Sequence, residues 1–160
     1  MSRRYEDPAD FRQALLARLR SVAAERAVSV QNLQLKLLIE RLLARLFAAP
    51  DPPWLLKGGF AMELRYRPHA RTTRDVDLTV EQPGSGGRSE RLRRIRAELQ
   101  AAAAIDLGDH LEFRVAEARR ELPGAAPRFP SRCGWPEDPS GASRSTWGSA
   151  IQSATRPRLS

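Results

Sequence analysis

Two aspartates one residue apart, Asp75 and Asp77, sit in the alternating stretch Arg74-Asp75-Val76-Asp77-Leu78-Thr79-Val80. In an extended strand, residues i and i+2 share a face and lie roughly 6 to 7 Å apart along the backbone, so both carboxylates can aim at one spot while Val76 and Leu78 face the opposite way. A hard divalent cation such as Mg²⁺ suits that arrangement, because it prefers carboxylate oxygens, water and substrate phosphates. A pair of such ions clamps the attacking and leaving oxygens of an in-line phosphoryl displacement. Surface charge on a solvated strand face produces the same spacing, so the two aspartates alone leave both readings open.

A second feature lies 16 residues upstream of Asp75, where Trp54-Leu55-Leu56 runs into Lys57 and the pair Gly58-Gly59. The order reads as strand, tight turn, helix, with Phe60 to Tyr66 helical. Glycines at such a turn let a phosphate approach the backbone, and the helix start offers free N–H groups at the positive end of its dipole. A plain tight turn uses glycine for the same conformational reason. Taken together, the glycine turn and the two carboxylates describe a nucleoside triphosphate (NTP) site built on two adjacent strands.

The elements that must position this site follow from periodicity. Asp10 can cap a first helix with Leu15, Leu16, Leu19, Val22 and Ala23 at helical spacing. Ser29 opens a second, striped by Leu35, Leu38, Leu42, Leu43 and Leu46 and stopped by Pro50, Pro52 and Pro53. Pro68 ends the helix after the glycines, and a Gly-rich turn from Pro83 to Gly87 precedes a helix running to Ala104 and a strand around Leu111 to Val115. The expected fold is α/β (α+β): a helical pair over 1–53, a core with a small mixed sheet over 54–123, and a tail over 124–160. From Pro127 onward the chain holds seven Ser, five Pro, Trp135 and Trp147 without sustained periodicity, and it reads as non-folding.

Composition narrows the class. The chain has 160 residues, enough for one modest core, and a formal charge of +8. Only Lys36 and Lys57 among its 27 basic residues are lysines, so the arginine excess reflects GC-rich coding as much as a nucleic-acid partner. No apolar run reaches the roughly 20 residues of a membrane span, and the amino terminus lacks a signal core, so a cytoplasmic protein without membrane contact is expected. Cys133, the one cysteine, excludes an internal disulfide and reads as a bystander thiol. His69 and His110 read as surface residues.

The segment Trp54-Leu55-Leu56-Lys57-Gly58-Gly59-Phe60-Ala61-Met62-Glu63-Leu64-Arg65-Tyr66, followed by Arg71-Thr72-Thr73-Arg74-Asp75-Val76-Asp77-Leu78, resembles the AbiEii/AbiGii toxin nucleotidyltransferases of the polymerase-beta-like superfamily. The resemblance implies a toxin of a toxin–antitoxin or phage-exclusion system, with a cognate antitoxin, that transfers a nucleotide from an NTP with Mg²⁺ in a two-metal arrangement, in some members to tRNA. Carried over by position, Gly58 and Gly59 would cradle the terminal phosphates. Asp75 and Asp77 would hold metal and orient the attacking hydroxyl. Lys57 and Arg71 would neutralise phosphate charge, Lys57 alternatively pairing with a carboxylate, and Thr73 would orient Asp75. Phe60 stands where family members often have a small polar residue.

The superfamily's third carboxylate, on a later strand, is not found: Asp106 and Asp109 flank a turn, and Glu112 comes too early. Reading Ser131 to Ile151 in a shifted frame with GC-rich codons allows VEVRLAGRPFGRFPIDVGIGD, which puts an Asp between apolar neighbours across the codons of Ser145 and Thr146. This points to a frame shift after about Pro123 and a truncated family domain. The rival readings are an inactive remnant or binding module of the same fold, and a small basic RNA-binding protein.

Overall fold

In the computed structural model, which describes residues 5–66, 75–80, 85–119, 127–134 and, as backbone, 149–155, four helices flank a single five-stranded sheet. Helix α1 (Pro8–Arg26) starts three residues earlier than the sequence suggests, because Asp7 and not Asp10 is its cap: the Asp7 carboxylate accepts from the Ala9 N–H, and Pro8 occupies the first turn, where a missing N–H costs nothing. Helix α2 (Val30–Leu46) is capped by Ser29 as expected. Its stripe of Leu35, Ile39, Leu42, Leu43 and Leu46 is buried in the core, whereas α1 buries only Ala23 and lies outside it.

Strand β1 (Trp54–Lys57) is tied to α2 by the Trp54 indole N–H, which donates to the Leu46 carbonyl at 2.9 Å and satisfies one orphan acceptor at the helix end. Helix α3 (Gly58–Arg65) follows without a loop. Strand β2 (Val76–Val80), helix α4 (Arg88–Ala103) and strand β3 (Glu112–Val115) complete the elements anticipated from periodicity.

The tail departs from expectation. Arg128–Gly134 forms β4 and Ser149–Thr155 forms β5, and the strand order is β1-β2-β5-β4-β3. β5 runs parallel to β2 while the other pairs are antiparallel, so the sheet is mixed. The physical reason is visible in β4: Phe129, Ser131 and Cys133 alternate inward and Arg128 and Arg132 outward, a period of two obscured by a serine and a proline. Burial pushes the Cys133 thiol up to about 12, so it stays protonated and inert at neutral pH. Ser145, Thr146, Trp135 and Trp147 lie outside the described residues, as does His69.

One core collects α2, α4, Trp54, Phe60 and the inward residues of β2, β3 and β4, which places all of that packing on one face of the sheet. Edge strand β3 is clasped by α4: Gln100 accepts from the Val115 N–H and donates to the Phe113 carbonyl, and Arg96 donates to the Val115 carbonyl. These bonds occupy backbone groups that an open edge would offer to another chain.

A buried ion pair fastens α2 to the approach of β3. Arg45, 1% exposed, donates to both Asp109 oxygens and to the Leu111 carbonyl, and its guanidinium stacks over Phe113. Arg41 donates to the same carboxylate. Burial pushes the Asp109 carboxyl up, but hydrogen bonds from Arg45 and Arg41 outweigh it and hold the group below the usual carboxylate range.

Candidate functional site

The glycine turn and the aspartate strand meet because β1 and β2 are antiparallel neighbours with Lys57 opposite Asp77. Gly58 has φ +70°, a left-handed conformation that glycine adopts freely. A Cβ built on Gly58 would lie 2.8 Å from Asp77 Cγ and nearer still to its carboxylate. The bare Cα of Gly58 therefore packs directly beneath the Asp77 carboxylate, and no larger residue fits there without moving it.

Helix α3 is well placed to receive an anion. Lys57 is its N-cap but provides no side-chain cap bond, so the first-turn N–H groups receive no hydrogen bond from the cap side chain. Gly58 and Gly59 are exposed, while the next residue, Phe60, is 1% exposed and plugs the core. That burial explains the aromatic at this position: it anchors the helix start from below and contributes no polar atom to the site. One turn on, buried Glu63 pairs with Lys36 of α2, fixing α3 from its core-facing side.

The structure thus brings Lys57, Gly58, Gly59 and Asp77 together, with Asp75 immediately before β2 and two residues from Asp77. Asp75 and Asp77 are each half-buried, and Asp75 is already engaged by a neighbour. Arg71 and Thr73 lie outside the described residues. Two carboxylates beside uncapped helix N–H groups fit one Mg²⁺ arriving with a nucleotide, since that ion commonly takes one or two carboxylates and completes its shell with water and phosphate oxygens.

The candidates for a third carboxylate are placed elsewhere. Asp109 is committed to Arg45 and Arg41, and Asp106 accepts from the Gly108 N–H within a turn. Glu112 lies on β3, three strands from β2 in the sheet order, or roughly 14 Å at the usual strand spacing. Among the described residues no three acidic, histidine or cysteine side chains form a metal-holding group. The strand hydrogen-bonded to β2 on its other side, Ser149–Thr155, contains no acidic residue, and Gln152 occupies the register position beside Asp77. Sequence periodicity missed that strand altogether. A depression of about 500 Å³ between the end of α4 and β3, lined in part by Gln100, Ile105 and His110, is remote from Gly58 and Asp77 in strand order.

No described helix is long and apolar enough to cross a membrane. No curated protein matches the chain at a significant level. A family sequence profile does match: residues 41–143, more than half of the chain and including both β1–α3 and β2, fit the family described as nucleotidyl transferase AbiEii toxin, type IV TA system.

Proposed function

Because the chain belongs to the AbiEii family of nucleotidyl transferase toxins of type IV toxin–antitoxin systems, we propose that it transfers a nucleotide from an NTP to an acceptor such as tRNA, using Mg²⁺ at Asp75 and Asp77. The observation that supports this reading is the contact of Gly58 with Asp77, which sets the exposed glycine turn against a carboxylate at the register of two paired strands.

In this mechanism the N–H groups of Gly58, Gly59 and Phe60 donate to the terminal phosphates, and the dipole of α3 favours their charge. Lys57 and Arg71 would neutralise phosphate charge, and Thr73 would orient Asp75. Asp77, held in place by the backbone beneath it, orients the acceptor hydroxyl, whose oxygen attacks the α-phosphate while its proton passes to solvent and pyrophosphate leaves. A divalent cation held by the two aspartates supplies charge neutralisation at the reacting phosphate. Incubating the full chain with each labelled NTP, Mg²⁺ and total tRNA is expected to label RNA. Labelling that persists undiminished after chelation of divalent cations would refute the metal assignment.

A second reading is favoured by one observation: β5, the parallel neighbour of β2, brings no carboxylate to the register position beside Asp77. On this reading the chain binds Mg·NTP without transferring it and still engages an antitoxin. Nucleotide binding without labelling in the same assay selects it. A neighbouring gene for a small winged-helix regulator would identify the antitoxin. The expectation of a frame shift after about Pro123 is tested by sequencing the locus: a shifted frame that continues with family-like sequence supports it, and the absence of one, which the family match through residue 143 and the pairing of β4 favour, refutes it.

A further inference from the structure

The face of the sheet opposite the core carries its own pattern. The register places Lys57, Asp77, Gln152 and Arg128 in one row across β1, β2, β5 and β4. Two residues along β4 lies Pro130, and two further lies Arg132, which is directly opposite Arg114 of β3. Arg114, Arg128 and Arg132 are all exposed.

Arg114 and Arg132 are like charges at a cross-strand pair, an arrangement that destabilises a sheet when nothing lies between them. Neither makes a hydrogen bond or ion pair among the described residues. Glu112 is on the same face but opposite Gly134, and forms no ion pair with either arginine. An anion between the two guanidiniums removes the repulsion, and planar guanidinium forks match phosphate oxygens. The arginines lead toward the aspartates: Arg128, itself engaged by a neighbour, is two strands from Asp77, about 10 Å at the usual spacing, and Arg132 is four residues, roughly 13 Å, further along β4. Phe113, Phe129 and Trp54 all belong to the core, so the described residues of this outer face offer no aromatic platform on which bases could stack.

We propose that this arginine row is the track for the phosphodiester backbone of a single-stranded acceptor end, which reaches Asp77 across β4 and β5. This rests on the nucleotidyltransferase reading and adds where the acceptor lies and how it is recognised: by backbone charge, without base readout.

The test uses fluorescence anisotropy of the full chain with a fluorescein-labelled single-stranded oligoribonucleotide and the oligodeoxynucleotide of the same sequence. Both are expected to bind within a few-fold of each other. The double variant Arg114→Glu/Arg132→Glu is expected to bind at least about tenfold more weakly near 0.1 M salt. The slope of log affinity against log salt should shrink by about 1.4, as expected for two lost phosphate contacts on a single strand. Arg132→Glu alone turns the like-charge pair into an opposite-charge one, so its melting temperature should rise while its affinity for RNA falls. Unchanged oligonucleotide affinity in the folded variants overturns the proposal, as does absence of binding by the natural chain. A preference for RNA of tenfold or more overturns recognition by backbone charge alone. Affinity for unhydrolysable Mg·NTP analogues, measured in parallel, should not change in these variants. Its absence in the natural chain would count against the nucleotide site, and the oligonucleotide data would still decide the arginine row.

Discussion

Asp77→Asn is expected to reduce nucleotide transfer on the order of 10²–10³-fold, the usual cost of removing one group that stabilises charge in a transition state. Gly58→Ala should reduce it about 10²-fold, although alanine adds a single methyl group far smaller than the substrate. The reason is the same carboxylate in both cases. The added methyl would claim the space of the Asp77 side chain, and a residue other than glycine would be forced into φ +70°. The backbone strain amounts to about 1–2 kcal/mol, which a folded domain survives. The carboxylate, however, is displaced from the cradle. Because the two substitutions damage one feature, the double variant should lose little more activity than Asp77→Asn alone. Fully additive losses in a transfer assay would show that Gly58 and Asp77 act separately, and would remove the central support for the proposed site. Should the chain bind nucleotide without transferring it, the same cycle can be read from the affinity for Mg·NTP.

Asp109→Ala is expected to lower stability by about 3–5 kcal/mol, because it strands the Arg45 guanidinium in the core with its charge uncompensated. Against the 5–15 kcal/mol typical of a domain, that loss shifts the urea midpoint markedly. Adding Arg45→Met to Asp109→Ala should recover much of it, since the buried charge then disappears. The Leu111 N–H, which donates to Asp109 at 3.2 Å, stays unsatisfied and keeps the recovery incomplete. The acid limb of the stability curve provides an independent check. The Asp109 carboxyl is held below its ordinary value of 3.8, so its contribution is present above that pH and is lost as the pH falls through the lowered folded value. Asp109→Asn should therefore flatten the fall in stability below about pH 4. A natural chain and variant with parallel acid limbs would show that the pair contributes no proton linkage.

Much of the site was legible in residue order. Asp75-Val76-Asp77 identifies its own strand face, since alternation depends only on chain stereochemistry, and Lys57-Gly58-Gly59 before Phe60 identifies a turn into a helix. The leucine stripe of α2 announced its burial in the same way. Those motifs also carried the resemblance that the family match over residues 41–143 bears out. Strand β4 was not legible, because an inward Ser131 and an outward Pro130 blur the alternation that would betray it. The Arg45–Asp109 pair was equally silent, joining residues 64 positions apart through a core that no local window samples.

Residue order alone thus determined which groups could bind a metal and a phosphate, along with the local elements that bear them, because helical and strand periodicities are properties of adjacent residues. Tertiary structure decided that Gly58 lies under Asp77, that Gln152 and Arg128 extend their row, and that two arginines face each other across β3 and β4. Those are facts of strand order and register, which are set by long-range pairing and by burial of one shared face.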